Sequence, residues 1–479
     1  MKVSIGKKVV ASQNQLATYV GAKILEMGGN AFDAAVGVSA VLSVVLPYTS
    51  GLGGDGFLLA NTPEGLIAYN ASGWTSKNLK IQKIPSPRHP STVLVPGLVD
   101  MWDYIERKFM SLDLQTVLQP AVKLATNGFY IGKELGRAIS RANDMPESWS
   151  KLYKGRMAGD LIKLRELGEA LKVVSRNPRE FYEGKLMEEI VLGLNKQGVE
   201  MEFSDFANFR GEEVKPIKST YRDFTLYELP PNSQGITTLE ILKLSEMVET
   251  WKHKFDDIER VKEMVKIFAI GYSDRDRYVT DPRFYSPEIN LLDENGLRVK
   301  LREMGILPNR ILRTEDTTFF VVADGENEVG FIQSLFFHFG SGITVKQFPF
   351  NNRGFGFTEG NNKPEPRKRP LHTLSILYAE KDDESLFIGC AGGDLRPQIH
   401  AEVFQYYADY NMEIDEAVNA PRFILLSDKI VAEKRLSLPF QQLDYFTPEV
   451  GVVQALKRKS DRYYAVADLR SEGVSLSVQ

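Results

Sequence analysis

The chain has 479 residues, 59 basic against 63 acidic for a net charge of −4, with 43% hydrophobic and 25% charged residues. That is a globular composition which excludes collagen, coiled coil and wholesale disorder, and the near-neutral balance offers no global field for nucleic acid or an anionic membrane. One cysteine, Cys390, excludes an intrachain disulfide, and five scattered histidines (His89, His253, His338, His372, His400) argue against a zinc site, so no metal or cofactor is expected.

The opening Met1 to Lys8 is basic, with no apolar core or small-residue cleavage site behind it, which predicts an unprocessed, cytoplasmic chain. Leu16, Val20, Ile24 and Met27 recur at helical spacing, and Gly28-Gly29-Asn30 ends that helix. Asp33 is expected to cap a second, nearly all-apolar helix ending at Pro47. Its apolar stretch from Ala34 to Leu46 contains Ser39 and Ser43 and falls short of the roughly 18 to 20 residues that cross a bilayer.

Ser50 to Gly56 is a glycine-rich turn leading into a buried strand, Phe57 to Ala60. Gly51, Gly53 and Gly56 satisfy G-x-G-x-x-G, but a helix precedes and a strand follows, the reverse of a dinucleotide site. Tight chain reversal with close backbone packing is the better reading. From about Met101 to Met264 the pattern is mostly helical, interrupted at Pro96-Gly97 and Pro230-Pro231.

Past Ile311 the period moves towards 2. Thr317 to Ala323 and Glu328 to Phe336 read as a hairpin around the turn Asp324 to Asn327. The loop Thr358 to Pro370 carries Lys363, Arg367, Lys368 and Arg369, read as solvated because no aromatic residues interleave with them. Strands are expected at Leu374 to Ala379 and Ser385 to Cys390, and a helix over Gln398 to Tyr410. Cys390 ends an apolar strand and reads as a small buried hydrophobe rather than a nucleophile. At about 150 residues per domain the length corresponds to roughly three units. No repeat, low-complexity tract or linker divides it, and the two halves are expected to share one core.

Several segments are distinctive together: Gln15-Leu16-Ala17-Thr18, Gly28 to Ala35, Ser50 to Gly54, Asp316-Thr317-Thr318, Phe339-Gly340-Ser341-Gly342, Asn351-Asn352, Arg369 to Thr373, Ala391-Gly392-Gly393-Asp394 and Asn419-Ala420-Pro421-Arg422. In this order, from Val9 to Arg470, the sequence resembles the γ-glutamyltranspeptidases, or glutathione hydrolases. The resemblance implies an N-terminal-nucleophile hydrolase of α+β class, a four-layer αββα sandwich. It also implies a precursor that cuts itself between Asp316 and Thr317 into a large subunit, 1–316, and a small one, 317–479, which stay associated and share the sandwich. A dimer of processed units is compatible with it.

On this reading Thr317 is the nucleophile. A threonine hydroxyl needs a base, and the α-amine freed by cleavage, with an ordinary pKa of about 7.7 to 8.0, can take its proton without any histidine. The resemblance places the oxyanion hole at Gly392 and Gly393, and a hydroxyl touching the nucleophile at Ser334.

Substrate recognition departs from the transpeptidases proper. Their carboxylate-binding Arg is replaced by Asn70, Asn351 to Gly356 offers Arg353 but no acid, and their paired serines become His372 and Thr373. Losing charge-assisted contacts worth roughly 1.5 to 3 kcal/mol each weakens the grip on a zwitterionic glutamyl group. Asn70, Arg353, His372, Thr373 and Asp394 are the expected substrate contacts. The stretch Thr358 to Arg369 is shorter than the family's lid-bearing segment, which admits water to the cleft. The chain is therefore expected to hydrolyse, or transfer, an acyl group from a small-molecule amide through an acyl-Thr intermediate. Its substrates would be γ-glutamyl compounds such as glutathione or, as in the acylase and amidohydrolase branch that the pattern resembles more, oxamate- or glutaryl-type amides. A non-catalytic binding protein retaining the fold is the alternative from another class. Nucleic acid and membrane are not expected partners.

Overall fold

A computed structural model describes residues 2–303, 312, 317–427 and 429–479. Two seven-stranded sheets dominate it. In spatial order the first holds Val474–Val478, Lys8–Ser12, Thr318–Ala323, Glu328–Ser334, Asp55–Thr62, Gly65–Ala71 and Glu212–Glu213. The second holds Val3–Gly6, Arg462–Ala467, Val452–Lys459, Glu384–Ala391, Leu377–Lys381, Phe224–Glu228 and Ile217–Tyr221. Neighbours in both sheets run antiparallel.

The strands alternate their side chains between two faces, and both faces of each sheet are buried. Between the sheets lie Val9, Phe57, Leu59, Phe319, Val321, Ile332, Ile376, Phe387 and Leu456. The outer face of the first sheet packs on the helices Gln15–Glu26, Ala31–Val45, Leu98–Lys108 and Leu114–Asn127. The outer face of the second packs on Gly235–Val248, Ile258–Tyr278 and Arg396–Ala408. This is the αββα sandwich expected, an α+β fold with three apolar layers. Gly389 sets the sheet spacing at one point, since a Cβ there would lie 2.5 Å from ring atoms of Phe319 in the opposing sheet.

Both sheets contain strands from before and after residue 317. Lys8–Ser12 is flanked by Thr318–Ala323 and Val474–Val478, and Glu328–Ser334 pairs with Asp55–Thr62. Neither sequence half builds either seven-stranded sheet alone, as the absence of a linker suggested.

The hairpin after residue 317 forms as read, over Thr318–Ala323 and Glu328–Ser334. Other details are corrected. The all-apolar helix is capped by Asn30, whose side chain accepts from the N–H groups of Phe32 and Asp33, while Asp33 reaches back to the Asn30 N–H in a capping box. Ser39 and Ser43 inside it meet the buried Gln333, which also donates to Ser50 Oγ at 2.9 Å. The stretch read as mostly helical contains a hairpin, Ile217–Tyr221 with Phe224–Glu228, at the edge of the second sheet. In the loop read as solvated, Lys368 and Arg369 are buried, Lys368 against Asn361 and Glu365 and Arg369 against Glu212. Among the described residues no helix is long and apolar enough to cross a membrane.

Candidate active site

Thr317 stands immediately before the central strand Thr318–Ala323 of the first sheet, 1% exposed, at the wall of a 320 Å³ cavity. Its Oγ1 lies 3.3 Å from Ser334 Oγ, at the end of the neighbouring strand, and donates to it. Ser334 Oγ in turn accepts the Phe336 N–H at 2.8 Å, where the chain turns with φ +87°. The pairing Thr318 with Gln333 brings the two hydroxyls side by side.

The same cavity is lined by Ala391 and Gly392, at the end of the strand Glu384–Ala391 in the second sheet. Gly393 follows with φ +52°, the left-handed region that favours glycine, and opens a short 3₁₀ turn. The Gly392 carbonyl accepts from Leu395 N–H at 2.9 Å and the Gly393 carbonyl from Gln234 Nε2 at 2.9 Å, which fixes both peptide planes. The N–H groups of Gly392 and Gly393 meet no acceptor among the described residues. A hydroxyl from one sheet and backbone donors from the other thus meet where the two sheets' strand ends converge. Asp316, the other half of the expected cleavage site, lies outside the described residues.

The expected substrate residues occupy a different place. Asn70, Arg353, His372, Thr373 and Asp394 are each at most 2% exposed, and none lines the Thr317 cavity. Asn70 donates to Asn232 Oδ1 at 2.9 Å and accepts from Ser72 Oγ at 2.7 Å. Asp394 takes an Arg275 guanidinium N–H at 3.0 Å. Arg353 donates to Thr373 Oγ1 at 3.1 Å and lies 4.1 Å from the centroid of the Phe336 ring. His372 Nδ1 accepts the Leu374 N–H, which leaves the proton on Nε2, 3.1 Å from Asp55 Oδ2. These five are linked by hydrogen bonds through Asn232, Gln234 and Arg275, and Arg353 joins them to Phe336.

Asp55, which the sequence reading took only as part of a glycine turn, is central to that network. It pairs across strands with Ser334, accepts the Gly73 N–H at 3.1 Å and lies 3.5 Å from Arg353 Nε. Burial pushes its carboxyl up to about 6, against the pull of Arg353, while burial and the charges of Arg353, Arg396 and Arg369 hold the His372 imidazole well below its usual range. The turn around it is needed for close approach, as read: a Cβ on Gly54 would lie 2.5 Å from the Ser334 carbonyl oxygen. The cavity walls also include Arg88, Arg137, Arg141 and His338. Only the i, i+4 spacing of Arg137 and Arg141 could have flagged these from sequence. Cys390 is buried in the second sheet and lines no part of the cavity. Among the described residues no group of three or more His, Cys, Asp or Glu side chains could hold a metal ion.

The family model described as gamma-glutamyltranspeptidase matches residues 17–478. The chain belongs to this family. A glutathione hydrolase-like proenzyme of Bacillus subtilis, YwrD, is 35% identical over 446 residues, covering 87% of this chain and 85% of the relative. An oxamate amidohydrolase proenzyme of Klebsiella pneumoniae is 28% identical over 450 residues, covering 87% and 83%. Among solved structures, a cephalosporin acylase from Bacillus halodurans superposes over 100% of this chain and 97% of its own, with a TM-score of 0.91 at 26% identity. As a gamma-glutamyltranspeptidase family member with acylase-like structure, the chain is an enzyme of the N-terminal-nucleophile hydrolase type, acting by amide hydrolysis.

Proposed function

We propose that Thr317 is the nucleophile of a self-processing amidohydrolase, and that its own freed α-amine is the base. The observation that carries this is the position of Thr317 at the head of a central strand, its Oγ1 3.3 Å from Ser334 Oγ, in a cavity it shares with Gly392. In the precursor the Thr317 hydroxyl attacks the Asp316 carbonyl, converting that amide to an ester. That exchange breaks the amide C–N bond and frees the Thr317 amine; water then cleaves the ester, releasing the Asp316 carboxylate and restoring the Thr317 hydroxyl. In turnover the amine takes the hydroxyl proton, the Thr317 oxygen adds to the substrate carbonyl, and the proton passes to the departing amine. Water or a second amine then releases the acyl group.

The tetrahedral oxygen would be met by the N–H groups of Gly392 and Gly393, which have no acceptor among the described residues, the Gly393 N–H being fixed in direction by the bond its plane makes through the Gly392 carbonyl. Such a donor is worth roughly 3 to 4 kcal/mol of transition-state stabilisation. Ser334, held by the Phe336 N–H, orients the Thr317 hydroxyl. The network of Asn70, Arg353, His372, Thr373 and Asp394 reaches Phe336 rather than walling the cavity.

The acyl specificity we propose is for small amides without a strict γ-glutamyl requirement. Asn70, standing where the transpeptidases proper carry a carboxylate-binding Arg, is committed to Asn232 and Ser72. No residue of 358–369 lines the cavity, so nothing in that loop shields it from water, which favours hydrolysis over transfer. The named activity of the Klebsiella relative, on oxamate, is compatible with a carboxylated amide substrate.

Mass analysis of the purified protein tests the mechanism. The expected result is fragments of about 36 and about 18 kDa from the 54.0 kDa chain, the smaller beginning Thr-Thr-Phe-Phe. Thr317→Ala should abolish cleavage and turnover. Thr318→Ala should keep turnover, because the Thr318 hydroxyl is buried without a hydrogen-bond partner among the described residues. An active preparation consisting of full-length chain alone would overturn the proposal.

A further inference from the structure

Four arginines, Arg88, Arg137, Arg141 and Arg470, line the Thr317 cavity beside two carboxylates, Glu134 and Glu449. Arg137 is paired with Glu134 at 3.0 Å, and Arg470 with Glu433 and Asp468 at 2.6 and 3.0 Å. Arg88 and Arg141 remain. Arg88 is half-buried, and its hydrogen bonds go to two backbone carbonyls, His338 O at 2.9 Å and Gly340 O. These hold the side chain in place without neutralising it. Arg141, on the helix Lys133–Arg141, makes no ion pair or hydrogen bond among the described residues.

The two charges act on the same spot. Burial with no carboxylate nearby pushes the Arg88 guanidinium down to about 10. Burial, then Arg88 and Arg141, push the intervening His338 imidazole down to about 4, so it adds no charge at neutral pH. A desolvated guanidinium fixed by carbonyls, with a second across a neutral ring, leaves donors that a planar carboxylate can take. The enclosed volume, 320 Å³, lies at the small end of ligand pockets, which run from about 300 to about 1,000 Å³. The acyl group is the part of a substrate that stays here through both half-reactions, since the amine departs after the first.

We infer that Arg88 and Arg141 are specificity-determining residues that bind a free carboxylate at the far end of the substrate's acyl group, selecting short dicarboxylic acid monoamides over neutral amides. This rests on Thr317 being the nucleophile in this cavity. It differs from the amino-acid clamp of the transpeptidases proper in both residues and location, since Asn70 and the segment after Asn351-Asn352 take no part in it.

The test compares processed wild type, Arg88→Gln, Arg141→Gln and the double variant on glutaryl and pentanoyl p-nitroanilide, which differ only in the terminal carboxylate. Wild type should prefer the glutaryl substrate by about a hundredfold in kcat/KM. Each single substitution should cut that ratio by about tenfold, and the double variant should bring it near one. Glutarate binding, followed by calorimetry beside pentanoate, should weaken in parallel. Arg141 is exposed and makes no ion pair or hydrogen bond among the described residues, with the longer-range charge of Glu134 acting on it, so the effect of Arg141→Gln is not a folding effect. A glutaryl preference unchanged in both single variants, or glutarate binding absent or undiminished by them, overturns the inference while leaving Thr317 chemistry intact. Failure of the underlying reading looks different: Thr317→Ala would still be cleaved or would still hydrolyse both anilides.

Discussion

His372 Nε2 lies 3.1 Å from Asp55 Oδ2, both side chains fully buried, one on each side of the turn that holds Ser334. Their titrations oppose each other. His372 is held below its ordinary 6.5, so it contributes stability that is present above pH 6.5 and lost as the pH falls, when the unfolded chain takes up the proton. Asp55 is raised from 3.8 to about 6, so its contribution is present below pH 3.8 and lost as the pH rises through about 6. Between pH 7 and 5 the unfolded imidazole and the folded carboxyl each bind about one proton, and the two effects nearly cancel. Asp55→Asn removes the compensation. Its urea midpoint should fall on going from pH 7 to 5, while that of the wild type falls less. Equal pH slopes for the two proteins would refute the coupling.

The contact of Phe319 with Gly389 fixes how the sheet that carries Thr317 meets the sheet that ends at Gly392. A methyl at position 389 would sit 2.5 Å from the ring, which is closed in by both sheets. Gly389→Ala should therefore cost about 1 to 3 kcal/mol of stability, as overpacked cores do, read from denaturant unfolding. Because Phe319 is two residues from Thr317 and Gly389 three from Gly392, kcat should fall as well. Wild-type stability and kcat together would show that the sheets are free to separate there.

Much of this architecture was legible from local pattern. The all-apolar helix, the glycine turn and the hairpin after Thr317 each carry a strong period or punctuation signal, and the motif order pointed to the sandwich. What stayed hidden depended on distant partners. The edge hairpin Ile217–Tyr221 and Phe224–Glu228 is partly solvent-facing and carries polar residues, so its pattern is weak without the sheet beside it. Lys368 and Arg369 read as solvated because their burial comes from the fold, which places Arg369 against Glu212 from a distant segment and covers Lys368 beside the half-buried Glu365. The expected substrate residues were placed by analogy of position. The identity of the cavity wall needed the fold, which brings Arg88, Arg141 and His338 together from three separate segments.

Ser334 has two hydrogen-bonding tasks, accepting from Thr317 Oγ1 and from the Phe336 N–H. Ser334→Ala leaves that buried N–H without its acceptor, a loss of about 1 to 3 kcal/mol, and frees the nucleophile's hydroxyl to rotate. Self-cleavage and substrate turnover should both slow, by about tenfold or more. Ser334→Thr, which restores the oxygen, should recover part of the loss. Cleavage at the wild-type rate in Ser334→Ala, measured by the time course of fragment appearance, would remove Ser334 from the orientation of Thr317.

The oxyanion turn can be tested without touching a side chain that performs chemistry. Gly392 has φ 178°, extended backbone that any residue adopts, so a substitution there meets packing rather than backbone strain. A Cβ at this position would lie 2.7 Å from Ile399 Cδ1 and 3.3 Å from Cys390 Sγ. Gly392→Ala must therefore push the turn away from the helix Arg396–Ala408, moving the N–H groups of Gly392 and Gly393 relative to Thr317. Misaligning one such donor costs roughly 10² to 10³ in kcat when it is lost entirely, so a fall of at least tenfold is expected. Ile399→Val deletes the Cδ1 methyl that clashes, at about 0.5 to 1.5 kcal/mol of stability on its own. In Gly392→Ala/Ile399→Val the turn can relax back, and kcat should rise above that of Gly392→Ala even though the protein carries two core changes. A double variant slower than Gly392→Ala would mean that the glycine serves the site through something other than room for its backbone.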